Sequence, residues 1–270
     1  MGPAIILCLT IDVFAANSCG LQTLLPMKKR TSAAFTLIEL LVVITIIAIL
    51  ASIALPAFTS VQQKGKQTKA LSNAKQIAIA LRLYASDHDG VYPSTTLDAT
   101  GNPTTTDVST SNAAFCQLFP TYIKSEAIFY VGGSRFCNPG PPDEQQDATT
   151  TSPPTLTLAA GENEWAYVLH LNDTFNPSVP MIADGFASAS GHTYVKDSSA
   201  QGGVWKGQTA IVVRADGSSG AALKVDGTSL LVIGPNATTG GAPGDIFTTA
   251  NGANGWLGLT NIVVNPNPAP

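Results

Sequence analysis

Glu39 is the side chain whose chemistry most needs an account. It stands near the start of a 24-residue apolar run, residues 35–58, FTLIELLVVITIIAILASIALPAF, in which Thr36, Thr45 and Ser52 are the other polar positions. A carboxylate inside a segment of that character is costly, so it is expected to have both a partner and a function. Other titratable side chains offer less. His88, His170 and His192 are scattered and read as solvated turn or edge positions. Asp87 and Asp89 flank His88 in an Asp-His-Asp-Gly stretch, far short of a calcium-binding loop of about 12 residues. No Gly-x-Ser-x-Gly elbow, phosphate-cradling loop or zinc-ligand spacing occurs. Catalysis, a bound metal and a cofactor are therefore not expected.

The element that positions Glu39 is a helix. A bilayer core is crossed by about 20 apolar residues, and residues 35–58 exceed that. Lys28, Lys29 and Arg30 precede the run without an accompanying acid, and positive flanks stay on the cytoplasmic side. The polar bulk beyond Phe58 is therefore expected outside an inner membrane. Pro56 removes one internal hydrogen bond, and Gly65 is a second weak point. Beyond them Leu71, Ala74, Ala78, Leu81 and Ala85 recur at spacings of three and four, with Ile77 and Tyr84 beside them, which marks one helix face. Lys64, Lys66, Lys69, Lys75 and Arg82 occupy the rest, either solvated or facing anionic headgroups. Gly90 suits a C-terminal cap and Pro93 stops continuation. The expected helix is about 50 residues, or roughly 75 Å.

A basic leader ending in a small residue, Ala34, then Phe35, Thr36, Leu37, Ile38 and Glu39 heading a long apolar helix, resembles the start of type IV prepilins. That family includes pilus subunits and type II secretion pseudopilins. The resemblance implies that a prepilin peptidase cuts between Ala34 and Phe35 and that the new amino group of Phe35 is methylated. It makes Glu39 the fifth mature residue and Pro56 the twenty-second, where many members carry a helix-loosening proline. The chain departs from the pattern in having Ala rather than Gly before the cut. Glu39 then has a partner in the amino group of Phe35 on a neighbouring subunit. Such a pair holds away from water only if well satisfied, and it would set register between subunits. Residues 73–93, NAKQIAIALRLYASDHDGVYP, also resemble the end of this helix in major pseudopilins. A weaker likeness joins GGVWKGQTAIVVRADGS to a C-terminal motif of His, nine residues, then Asp-Gly in some pilin-like proteins. Lys206 stands where that His would be.

Within this scheme residues 1–34 are a leader, of which 1–26 read either as a misassigned start, because Met27 opens a natural basic leader, or as part of a long leader that is still removed at Ala34. Loss of the leader removes Cys8 and Cys19 and leaves Cys116 and Cys137. An even pair in an oxidising compartment suggests a disulfide closing a loop of roughly 20 residues, worth about 3 kcal/mol; two free, buried thiols are the alternative. The mature chain would carry 11 basic and 17 acidic side chains, a net charge of −6. That composition opposes nucleic-acid binding, which requires a basic face.

Residues 93–270 are expected to form an exported, loop-rich β domain, with charged residues at 12% across the chain and Gly, Pro, Ser and Thr abundant. Residues 94–154 read as loop around one ordered island, 115–130, with a short helix over 124–128. Residues 138–154 read as a long loop. Strands are expected at 164–170, with Trp165, Tyr167 and Leu169 on one face, and at 179–183, 209–214, 222–225 and 230–233. Asp184-Gly185, Asp216-Gly217 and Asp226-Gly227 read as turns. Antiparallel strands behind one long helix make an α+β, pilin-like roll. The function implied by the resemblance is that of a filament subunit, in a type II secretion pseudopilus or a surface pilus. Its expected partners are the prepilin peptidase, like or related subunits, the inner-membrane assembly machinery and, before assembly, membrane lipid. The alternative is a membrane-tethered binding domain that never polymerises, or a plain anchor with a Glu at the interface.

Overall fold

The structure, a computed structural model, describes residues 36–98, 102–140, 142, 158–217, 220–234, 244–249 and 256–269. The leader, Phe35 and most of the 138–154 loop lie outside the described residues. The chain divides into two units, Met1–Ile53 and Ala54–Pro270.

In the first unit the described residues form the opening turns of α1 (Leu37–Asp87). Its hydroxyls are turned back onto the helix. Thr45 Oγ1 donates to the Leu41 and Val42 carbonyls at 3.0 and 2.8 Å, and Ser52 Oγ to the Ile49 carbonyl at 2.8 Å. Polar groups satisfied within their own segment are what a hydrocarbon environment demands.

The second unit holds the remainder of α1 and the β domain. Pro56 lies inside α1, and the helix runs on to Asp87. The expected amphipathic face is present: Ala70, Ala74, Ile77, Ala78, Leu81, Tyr84 and Ala85 are buried, and Leu71 is packed at its margin. Fully covering an Ile or Leu stabilises by about 1.5–3 kcal/mol, so this face ties the helix to its domain. Gln67 adds a side-chain bond to Thr209 Oγ1 at 2.8 Å. The helix stops as its sequence indicated. Gly90 has φ +80°, its N–H donates to the Ala85 carbonyl at 2.8 Å, and a Cβ there would collide with the Asp173 carboxylate.

The main sheet is antiparallel with strands β3 (Trp165–Val168), β4 (Pro180–Asp184), β5 (Thr209–Arg214), β6 (Gly220–Lys224) and β9 (Val263–Val264), in spatial order β6-β5-β4-β3-β9. Two small ladders accompany it: β1 (Thr95–Leu97) with β2 (Pro103–Asp107), and β7 (Ile233–Gly234) with β8 (Gly244–Asp245). Between them a short helix, α2 (Ser111–Phe115), is capped by Thr110 Oγ1 and followed by 3-10 turns at Cys116–Leu118 and Glu126–Ile128.

Several expectations need correction. The β1–β2 ladder falls in a stretch read as loop, because Thr-rich residues pair there without an apolar face. The strand around Trp165 is not half-buried: Ala166 and Val168 are covered as fully as Trp165 and Tyr167, so both faces of β3 lie inside. Strand β9 has two residues and no periodicity to detect. Asp184-Gly185 is not a solvated turn, since Asp184 ends β4 with no exposure. A buried amide cluster fastens α2 to β3. Asn163 Nδ2 donates to Ser111 Oγ (2.9 Å) and Asn112 Oδ1 (3.1 Å), while Ser111 Oγ donates to the Trp165 carbonyl (2.6 Å).

Candidate functional site

The head of α1 is built by two side chains that serve each other. Glu39 Oε2 accepts from the Thr36 N–H at 2.8 Å and from Thr36 Oγ1 at 2.7 Å, and the Glu39 N–H donates to Thr36 Oγ1 at 3.3 Å. This is the reciprocal Thr-x-x-Glu capping arrangement, which satisfies donors that a helix start leaves open and places a negative charge at the positive end of the helix dipole. Glu39 therefore has a local role within its own chain. Its other oxygen, Oε1, makes no bond among the described residues.

Behind that head the helix presents uncovered apolar surface. Leu37, Ile38, Leu40, Leu41, Val42, Val43, Ile44 and the large apolar residues that follow them to Val61 are all exposed. They surround the helix rather than forming one stripe, which is the pattern of an element solvated by lipid or by other helices. It is long and apolar enough to cross a membrane. A run of cations follows: Lys64, Lys66 and Lys69 are exposed, and Gly65 among them has open space where a Cβ would be.

Of the other residues singled out from sequence, Ala34 and Phe35 lie outside the described residues. Cys116 and Cys137 are both buried and are not joined to one another in this structure, the second of the two alternatives open from sequence. Cys116 opens the 3-10 turn behind α2, whereas Cys137 lies beyond the second turn; loop length and parity carry no information on whether two sulfurs meet in bonding geometry. Burial, with the Glu164 charge nearby, pushes the Cys137 thiol up to about 12. Each histidine has a bonded neighbour. His88 stacks on Tyr84 at 3.8 Å, His170 Nε2 meets Asp107 at 3.1 Å and His192 Nδ1 meets Asp245 at 2.7 Å. Lys206 has φ +57° and is exposed, in a turn.

Residues 29–55 match the family model described as the prokaryotic N-terminal methylation motif. The chain is 42% identical over 84 residues to the type II secretion system core protein G of Pseudomonas aeruginosa, covering 28% of this chain and 58% of that one. It is 41% identical over 81 residues to the protein of the same name from Aeromonas hydrophila, covering 29% and 56%. It is 46% identical over 55 residues to the type IV major pilin protein PilA of Myxococcus xanthus, covering 20% and 25%. Over its N-terminal part the chain is similar to pilins and pseudopilins. The chain spans a little over half the length of the two secretion proteins. No solved structure matches it.

Two features of this pilin-like chain escaped sequence reasoning. One is a pair of buried carboxyls at the mouth of the β3–β4 ladder. Glu164 and Asp184 have no exposure. Asp184 Oδ2 accepts from Trp205 Nε1 at 2.8 Å and from the Ile211 N–H at 2.5 Å, while Ser134 Oγ donates to Glu164 Oε2. Among the described residues, Glu164 Oε1 and Asp184 Oδ1 have no hydrogen-bond partner. Burial raises the Asp184 carboxyl to about 7 despite these donors, and burial together with the Asp184 charge raises Glu164. The one signal in the sequence was the run Asn163-Glu164-Trp165, polar residues abutting an apolar strand, which is equally common at a solvated strand start. The other feature is a cleft of about 640 Å³ at the C-terminal end of α1, whose lining includes Tyr84, Asp87, His88, Asp89, Tyr92 and Asn172. Its parts are separated by some 80 residues of chain, as Tyr92 and Asn172 show, so only folding brings them together.

Proposed function

We propose that this protein is a subunit of a type IV pilus-like or type II secretion pseudopilus filament. The observation that carries the reading is the wholly uncovered apolar helix from Leu37 to Val61, headed by a methylation motif. In a monomeric exported protein that surface would be a liability, since exposed apolar area of this extent marks a membrane or protein contact. Lipid covers it before assembly, and neighbouring helices cover it afterwards; packing and polar pairing then supply specificity where the hydrophobic term is nearly unchanged. Prepilin peptidase cuts between Ala34 and Phe35, and Phe35 is methylated. Glu39 then bonds through Oε1 to the Phe35 amino group of a neighbour while Oε2 keeps its cap on Thr36. Pro56 supplies a point where the helix can loosen during extraction from the membrane. Two of the three relatives described above are secretion proteins matched over 81–84 residues and the pilin is matched over 55, which favours the pseudopilus over a surface pilus.

The test is N-terminal mass spectrometry of the protein recovered from native membranes and from sheared surface material. A chain beginning at Phe35 and heavier by one methyl group is the expected result. A chain that still carries residues upstream of Phe35 in both fractions overturns the reading and makes the protein a tethered binding domain.

A further inference from the structure

Charge is segregated along this chain. Residues 59–87 carry five cations and one carboxylate, whereas residues 88–270 carry six cations and fifteen carboxylates. Among the described residues, none of Lys64, Lys66, Lys69, Lys75 and Arg82 makes an ion pair; the pairs present are His170 with Asp107 and His192 with Asp245. Arg82 instead donates to the Asp216 carbonyl. At the other end of the same helix the last turn holds no basic residue. The partial negative charge of the helix dipole and the exposed Asp87, Asp89 and Asp173 coincide there. The 640 Å³ cleft opens at that pole, and among the residues that line it His88, stacked on the buried Tyr84, and Asp87, Asp89 and Asn172 are exposed.

The exposed His88 ring beside the exposed Asp87 and Asp89 carboxylates is chemistry that receives a lysine: the methylene stem lies against the ring and the ammonium meets the carboxylates. The chain's own lysine stripe cannot reach the cleft. Asp87, the last residue of the helix that carries Lys66, is 21 residues on and His88 lies one residue beyond, so the stripe and the cleft are about 33 Å apart at 1.5 Å per residue. We infer that the Lys64–Lys66–Lys69 stripe of one copy docks in the Asp87/Asp89 cleft of a second copy, the open Gly65 letting the two backbones approach. The contact joins two different surfaces, so it propagates rather than closes, with an axial offset of about 33 Å between the copies. This inference rests on the filament reading.

The test uses two tagged full-length copies made in the same cells, one carrying Lys66→Cys and the other Asn172→Cys, treated with a short bis-maleimide. A control pair carries Leu40→Cys and Ile47→Cys in the apolar helix. Cross-linked heterodimer at both pairs is expected. Asp89→Lys in the Asn172→Cys copy should reduce the first product about tenfold, since like charges at a close contact cost several kcal/mol, and leave the control product intact. Control product without the Lys66–Asn172 product overturns the docking and leaves the filament reading standing. Product that ignores Asp89→Lys also overturns it. Failure of both pairs sinks the filament reading and the docking with it.

Discussion

The buried Glu164 and Asp184 carboxyls make the stability of the β domain depend on pH in a direction opposite to that of an ordinary ion pair. An unfolded aspartic acid has a pKa near 3.8, and in the fold burial raises Asp184 to about 7. Between those limits the folded form holds a proton that the unfolded form has released. Stability is fully present below pH ~4 and is lost as pH rises towards ~7, because the unfolded state then binds fewer protons than the native one. About three units at 1.36 kcal/mol each is ~4 kcal/mol for Asp184, and the raised Glu164 acts in the same sense. The assay is urea unfolding of the full chain in detergent at pH 4.5 to 8.5, followed by the fluorescence of Trp165 and Trp205, both buried. Asp184→Asn keeps one oxygen to accept from Trp205 and Ile211 and removes the titration. It should flatten the pH dependence between 5 and 7.5 and be the more stable protein at pH 8. A wild-type domain whose unfolding free energy is constant or rises over that range would refute the reasoning. So would an Asn variant that keeps the full slope.

Three other outcomes follow from the packing. Ile77→Ala removes a fully buried side chain on α1 and should cost about 2–5 kcal/mol, whereas Ile79→Ala, at an exposed position two residues on, should change stability by less than about 0.5 kcal/mol; equal losses in urea unfolding would contradict the assigned helix face. Gly90→Ala should lower stability by at least about 1 kcal/mol, through its positive φ and the collision with Asp173, and a neutral result would mean that the helix ends differently. Dithiothreitol should leave the melting temperature unchanged, and iodoacetamide should label Cys137 only after unfolding, because the thiol is buried and its pKa is pushed up to about 12. A melting temperature that falls on reduction would restore the disulfide.

Much of the architecture was legible because it rests on periodicity. The face through Ala74, Ile77, Ala78 and Leu81 repeats at helical spacing, and its burial follows. Strand β5, Thr209–Arg214, is bounded by a turn and rich in β-branched residues, and it forms where its composition placed it. The Gly90 stop needed nothing beyond one residue tolerant of positive φ. The methylation motif is likewise a local pattern, which is why it could be read at once. The β1–β2 ladder and β9 could not, since Thr-rich or two-residue strands owe their pairing to whatever lies beside them. Parity and an oxidising compartment left Cys116 and Cys137 either bonded or buried apart, because neither carries any geometry.

The sequence by itself determined the long helix, its apolar first half and the N-terminal likeness to pilins, because each depends on residues within a few turns of one another. Only the tertiary structure decided that Asp184 is a buried acid rather than a turn residue, that two cysteines remain apart, and that Tyr84, Tyr92, Asp89 and Asn172 line one cleft. Those outcomes turn on which distant segments exclude water from a given side chain. Burial of that kind is a property of the assembled fold, and no local spacing encodes it.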